Sequence, residues 1–400
     1  MVVAPPPHYQ RPVSYREWIA GILKGGGRTG ETGPSGETIV RTGFLPSGKS
    51  LTSRALNQGF VALASLATIF FPPRPLREFQ PDVVIGTVPA LPTAMVTLLA
   101  SRRFSSPYII DLRDAWPELL DIPEKWNRAV GNRSIREKIL SLGPMQMVAG
   151  IARLAINESL KKASGLLLTS AHLKDHLLVG KEGGFRGNTR QELAVVRNVF
   201  PPETQYEHVV SYVEQRNASL KVLYAGTLGR AQNLANAVYA VGIARQSGID
   251  VDLRLVGAGA SKSALHKLSM ECGIPVTIES RQPADGLEAH YEWADTALVH
   301  LSSWTPLQRA VPSKTYELME CGIHISGVVS GETAELIRHL EAGDVVPPDD
   351  PQSLAELWIG LAIDKRRLNT SRRAADWVRC TRNDSTNILL SFIENIASNE

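Results

Sequence analysis

Cysteine is scarce in this chain: only Cys272, Cys321 and Cys380 occur among 400 residues. An odd number without metal-ligand or redox spacing excludes a disulfide frame and fits reduced, structural thiols in cytosol. An excess of charge is also missing, since 43 Lys and Arg face 40 Asp and Glu for a net +3. That balance leaves no strong field for nucleic acid, so no nucleic-acid partner is expected. No uncharged apolar run reaches the ~18 residues that a bilayer span needs. Met1 to Pro7 lacks a charged stretch leading into an apolar one, so it is not read as a secretion signal. Of the nine histidines, His172 and His176 stand four apart without further His or Cys ligand spacing, and His300 and His324 sit inside apolar strands, so no metal is expected. Neither a Gly-x-Ser-x-Gly elbow nor a catalytic Cys/His signature occurs. The expectation is a cytoplasmic protein, soluble or peripheral to a membrane.

What is present is an ordinary globular composition, 43% hydrophobic and 21% charged, long enough for two domains. Short apolar runs alternate with longer helical patterns. Candidate strands are Asp82–Gly86, Pro107–Leu112, Gly165–Thr169, Ala194–Arg197, Lys221–Gly226, Asp252–Gly257, Pro275–Ile278, Thr296–Leu301, Ile323–Val329 and Asp344–Pro347. Strands that are apolar throughout belong to parallel sheets covered by helices on both faces, which makes the fold class α/β. The series breaks near Phe200-Pro201-Pro202-Glu203, a proline pair followed by a polar stretch. Domains are therefore expected over 1–202 and 203–380, with 381–400 as a terminal helix packing back on the first. Lys24 to Gly36 reads as a flexible glycine-rich loop, because no apolar strand leads into it.

Several segments gather chemistry at strand ends. Pro312-Ser313-Lys314-Thr315-Tyr316-Glu317 places a turn proline, a Ser/Lys pair with Ser313 as a helix cap, and a carboxylate one turn on. Amides and Lys314 suit a diphosphate and Glu317 a ribose; taken alone Glu317 reads more readily as a first-turn dipole charge and Lys314 as a surface charge, and it is their company that favours a ligand. Strand 221–226 runs into Gly226-Thr227-Leu228-Gly229-Arg230-Ala231-Gln232, and the next ends in Val256-Gly257-Ala258-Gly259. Both turns lie at a carboxyl edge, where a phosphate can sit, although plain βα turns look the same. Glu332 and Glu335 open a later helix, where Glu335 is read as ligand contact or as a dipole charge. In the first half, Ile109-Ile110-Asp111-Leu112-Arg113-Asp114-Ala115-Trp116-Pro117-Glu118 puts charged groups beyond an apolar strand. Asp114 or Glu118 can orient an acceptor hydroxyl or take its proton; the bland alternative is an Asp111–Arg113–Asp114 ion-pair cluster. Leu51 to Phe71, flanked by Arg54, Arg74 and Arg77, reads as a core helix or as one resting on an anionic membrane surface.

Segments 111–118, 198–202, 226–232, 256–259 and 312–317 together resemble glycosyltransferases of the GT-B fold, family 4, of the bacterial surface-polysaccharide type. The resemblance runs nearly end to end. It implies two facing Rossmann-like domains with parallel sheets, an acceptor on the first, and a UDP or GDP sugar on the second. It further implies hexosyl transfer with retention, without metal or cofactor, to a lipid-linked or glycan acceptor at the inner face of the cell membrane. On this basis Glu317 binds ribose, while Ser313, Lys314 and the 227–232 loop hold the diphosphate. The departing phosphate takes the acceptor proton, so the enzyme positions groups and stabilises charge. Three departures stand out. Arg309 occupies the place of a Glu eight residues before Glu317, and Thr227 and Gln232 stand where many members carry Arg and Lys. Met1 to Pro7 resembles the family's second strand, which implies a missing first strand, loop and helix, through a late start codon or a truncated gene. Rival readings are a nucleotide-sugar epimerase of the same fold and a non-catalytic nucleotide-binding remnant.

Overall fold

A computed structural model of the protein describes residues 1–7, 16–19, 30–46, 51–88, 92–113, 144–179, 191–200, 206 and 219–398. In the first half, β1 (Val2–Ala4), β2 (Glu31–Thr32) and β3 (Thr38–Arg41) form a small sheet in the order β1-β3-β2. Strand β2 falls inside the glycine-rich segment read as a loop, and it pairs antiparallel with β3, Glu31 opposite Ile39. The period of two hides in pieces this short, which is why β3 is absent from the expected strands, and why β1, inside Met1 to Pro7, is expected only through the family resemblance.

A second sheet holds β4 (Val84–Val88), β5 (Tyr108–Leu112), β6 (Gly165–Leu168) and β7 (Glu192–Val195), side by side and parallel. Every residue of β5 and β6 is buried, as continuous apolar strands between helices should be. The flanking helices are α1 (Leu51–Phe70), α2 (Pro92–Phe104), α3 (Pro144–Lys162) and α4 (Ala171–Val179). Pro72 and Pro73 stop α1, because neither ring can carry a helical N–H forward. Its inner side is held by Asn57, which is buried and accepts the Leu45 amide at 2.9 Å, and by buried Ile69.

The second half is one six-stranded parallel sheet of β8 (Ser219–Thr227), β9 (Asp250–Ala258), β10 (Thr277–Glu279), β11 (Thr296–His300), β12 (Ile325–Val328) and β13 (Gly343–Val346). Their order is β10-β9-β8-β11-β12-β13. Its helices are α5 (Ala235–Gln246), α6 (Lys262–Cys272), α7 (Ala284–Trp293), α8 (Ser313–Glu320), α9 (Glu332–His339), α10 (Pro351–Ile363) and α11 (Arg372–Ser398). One apolar layer joins Leu220, Val222 and Leu253 to Ala237 and Trp358, and the other joins Leu223, Ala297 and Ile325 to Tyr291 and Tyr316. Helix α10 starts at a proper cap, with Asp350 accepting the amides of Gln352 and Ser353, a contact worth about 1 kcal/mol.

Helix α11 runs unbroken through residue 380 and returns to the first half, where Phe392 and Ile396 pack on Ile109, Leu167 and Ala194. Gly165 leaves room for this, since a Cβ there would stand 2.5 Å from the Phe392 ring. Cys321 is buried, but Cys272 and Cys380 are exposed, so the expectation of structural thiols fits only the first.

Candidate functional site

The strand order of the second sheet changes direction between β8 and β11. Outside the carboxyl ends of those strands an open α/β sheet leaves a crevice, because the connections on either side lead to opposite faces. A cleft of about 690 Å³ lies there, large enough for a nucleotide. Gly226 and Thr227 line it from β8, Gln232 from the turn after it, Gly257 from β9, His300 from β11, and Ser313 and Lys314 from α8. Arg281, Gln282, Pro283 and Leu287 also line it. None of these four was singled out in sequence, where a short β10 followed by a turn carries no distinctive pattern.

The glycines here serve the backbone first. A Cβ on Gly257 would stand 1.9 Å from the Gly226 carbonyl, its partner in the β8–β9 register, and one on Gly259 would meet the Leu228 carbonyl at 2.1 Å. Close approach of two strands, rather than of a ligand, explains them. The segment after β8 is a turn, and α5 begins only at Ala235, later than a helix opening directly from Thr227. Gly229 and Arg230 belong to this turn, which is fixed by Leu228 N–H on the Ala258 carbonyl at 3.0 Å and Ser302 N–H on the Ala231 carbonyl at 2.8 Å.

Helix α8 has Pro312 as its cap residue with no side-chain bond, and Ser313 is the first helical residue; the expected Ser313 cap is therefore corrected. Lys314 Nζ donates to Glu317 Oε2 at 2.6 Å and to the Tyr291 hydroxyl at 3.3 Å. The Tyr291 hydroxyl donates to Glu317 Oε1 at 2.6 Å. Both charges are largely covered, so this is a pre-arranged ion pair whose cation lines the cleft. Tyr291 lies on α7, 26 residues before Glu317. The only sequence signal for it is a hydroxyl on an otherwise apolar helix face, which needs a partner when buried.

Glu335 does not line the cleft; its carboxylate is exposed and meets His172 Nε2 at 2.9 Å. Its neighbour Glu332 is the buried one, bonded to Arg197 at 2.5 Å. In the first half, Arg113 Nε holds Asp111 at 2.7 Å, Thr87 Oγ1 donates to the same carboxylate at 3.1 Å, and Arg113 also donates to Asn198. Asp111 and Arg113 thus form the ion pair of the bland alternative, whereas Asp114 and Glu118 lie outside the described residues. Among the described residues no three His, Cys, Asp or Glu side chains gather as a metal site.

His300 ends β11 under the cleft, buried, with the Asn236 amide 3.1 Å from its Nε2. Burial pushes its pKa from 6.5 down to about 4, with Asp349 and the Gln232 backbone opposing. A folded pKa below the unfolded one means that the unfolded chain binds the extra proton. The stability contributed by neutral His300 is intact above pH 6.5 and is lost as pH falls toward about 4. His300→Asn should therefore flatten the decline in urea midpoint between pH 7 and 5, and an unchanged slope would assign that decline elsewhere.

Two parallel-sheet halves of this kind, the second with its ligand crevice at the switch point, define the GT-B class of fold. Residues 213–377 match the family model described as glycosyl transferases group 1. The chain superposes on sucrose-phosphate synthase from Thermosynechococcus elongatus with a TM-score of 0.69 and 13% identity, covering 99% of both chains. On Anabaena HepE in complex with UDP-glucose the TM-score is 0.58 at 16% identity, over 88% of this chain and 86% of that one. An exopolysaccharide phosphotransferase of Streptomyces coelicolor is 33% identical over 120 residues, 30% of this chain and only 12% of that protein's length.

Proposed function

We propose that the protein is a retaining, family 4 hexosyltransferase that moves a sugar from a nucleotide-diphosphate sugar to a lipid-linked or glycan acceptor in surface-polysaccharide synthesis. The observation that carries this reading is Lys314, which lines the switch-point cleft and is held from behind by Glu317 and Tyr291, neither of which lines the cleft itself. Lys314 and the amides around Thr227, Gly229, Arg230 and Gln232 meet the diphosphate, and Glu317 meets the ribose. UDP is the preferred carrier over GDP, a reading supported by the UDP-glucose named in the HepE complex. Residues 1–202 hold the acceptor, with Asp114 and Glu118 as its acid/base candidates, and 203–380 hold the donor. The reaction needs neither metal nor cofactor, because Lys314 and backbone amides supply the charge that the leaving diphosphate requires.

Incubating the chain with UDP-hexoses, with and without membrane lipid extract, separates the readings by product analysis. Acceptor-dependent UDP release is expected, with the sugar–phosphate bond replaced by a bond to the acceptor of the same anomeric configuration. Interconversion of the UDP-sugar without acceptor would replace it with the epimerase, and inertness with every donor would favour the non-catalytic remnant.

We place the enzyme in the cytoplasm at the inner membrane face, resting on residues 51–77. Along α1 the exposed positions Leu56, Phe60, Leu63, Ala67 and Phe70 fall on one side, and Phe71 follows at 84% exposure. No acid occurs in 51–77, which carries Arg54, Arg74 and Arg77, so the surface suits anionic lipid. No helix among the described residues is long and apolar enough to cross a membrane. Co-sedimentation with phosphatidylglycerol-containing vesicles should fall roughly tenfold or more in Leu63→Glu/Phe71→Glu, since two apolar side chains are withdrawn from the interface. Equal sedimentation of the variant would remove this surface from the account.

A further inference from the structure

One polar cluster joins the two halves and takes no part in the donor site just described. Glu332, the first residue of α9, is buried. Its Oε1 accepts the Ala171 amide at 3.1 Å and its Oε2 the His172 amide at 2.8 Å, the two opening amides of α4 in the other half. Arg197, two residues beyond β7, contacts Glu332 Oε1 at 2.5 Å and donates to the Tyr316 hydroxyl at 3.3 Å. The same guanidinium lies 5.6 Å from the Trp377 ring centre, and Tyr316 stacks on Trp377. Beside them Ser170 Oγ donates to the Arg309 carbonyl at 2.5 Å. Burial opposes the charge on Arg197, yet Tyr316 and Glu332 hold its pKa above the ordinary arginine value.

A buried ion pair is a poor device for stability, because apolar side chains of similar volume commonly do as well or better. What it supplies is direction. The carboxylate is satisfied only when two amides of α4 and one guanidinium converge on it, which holds for a single placement of the halves. Tyr316 lies between Lys314 and Glu317 on α8, so the same guanidinium also braces the helix that carries the donor contacts.

We propose that Glu332 and Arg197 are positioning residues for the transfer step, fixing the acceptor-side sheet against helix α8 so that the two substrates meet at a set distance. This rests on the transferase reading. Misplacement by about 1 Å can cost on the order of a hundredfold in rate while leaving binding of one partner intact.

The test uses the full chain with Glu332→Gln and Arg197→Met, and a paired Arg197→Met/Glu332→Leu variant that leaves no lone buried charge if the single variants fail to fold. Expected are a UDP affinity within about threefold of the parent, a kcat for UDP-sugar turnover at least about tenfold lower, and a larger radius of gyration in solution scattering. The paired variant should fold and remain slow. Unchanged kcat and scattering would overturn the proposal, as would a parallel loss of UDP affinity, which would make the pair part of the donor site. If the parent chain binds no nucleotide, the donor reading fails, and scattering alone decides whether the brace sets the spacing of the halves.

Discussion

Lys314→Met is expected to weaken UDP binding by roughly a hundredfold, more than any other single change in the cleft. Two effects add. A charge-assisted bond from Nζ to the diphosphate is lost, which costs ~1.5–3 kcal/mol. In addition Glu317, largely buried and held at 2.6 Å by Lys314, is left with Tyr291 as its described partner, and its unneutralised charge faces an incoming dianion. Glu317→Ala removes the ribose contact and is expected to cost ~1.5–3 kcal/mol, nearer the lower figure because it frees Lys314 for the phosphates. The order of the two variants is the diagnostic. If Glu317→Ala were the more damaging by calorimetry, or Lys314→Met had no effect, the diphosphate would not sit at α8.

Gly257→Ala is expected to lower stability by about 2–3 kcal/mol, and to abolish nucleotide binding in whatever fraction folds. The new methyl would lie 1.9 Å from the Gly226 carbonyl. Neither strand can yield easily, because β8 and β9 are paired over nine consecutive residues from Ser219 opposite Asp250 to Thr227 opposite Ala258. Any relief spreads the two strand ends that form one wall of the cleft. Gly59→Ala is the control, since a Cβ there meets nothing within 4 Å in the middle of α1; it should stabilise by roughly 0.5–1 kcal/mol. Denaturant midpoints for the pair check both values. A tolerated Gly257→Ala would mean that the strand ends part without cost.

How far this site could be read from sequence depended on how local its signals are. The strands of the second sheet are legible for two reasons: β11 and β12, buried at every residue, read as continuous apolar runs, whereas β8 and β9 alternate buried with exposed positions along part of their length. Once strands are placed, the switch-point rule points to their carboxyl ends, and so Gly226, Thr227, Gly257 and Lys314 come together. Glu335 shows the limit. It lies three residues after Glu332 on the same helix, and no periodic pattern tells which carboxylate turns inward; Arg197, 135 residues away in sequence, settles it by pairing with Glu332. Tyr291, Arg197 and His300 were invisible as site residues for the same reason, since their partners are long-range. The first half was less legible because its short β1, β2 and β3 carry too few residues to display a period.

The most direct test of the central claim is calorimetric titration of the purified chain with UDP, GDP and ADP, alongside Lys314→Met and Glu317→Ala. Selective binding of UDP by the parent, roughly a hundredfold weaker in Lys314→Met, is the predicted result. Binding that is absent, or that is equal in parent and variants, would contradict a nucleotide-sugar site at the β8–β11 cleft.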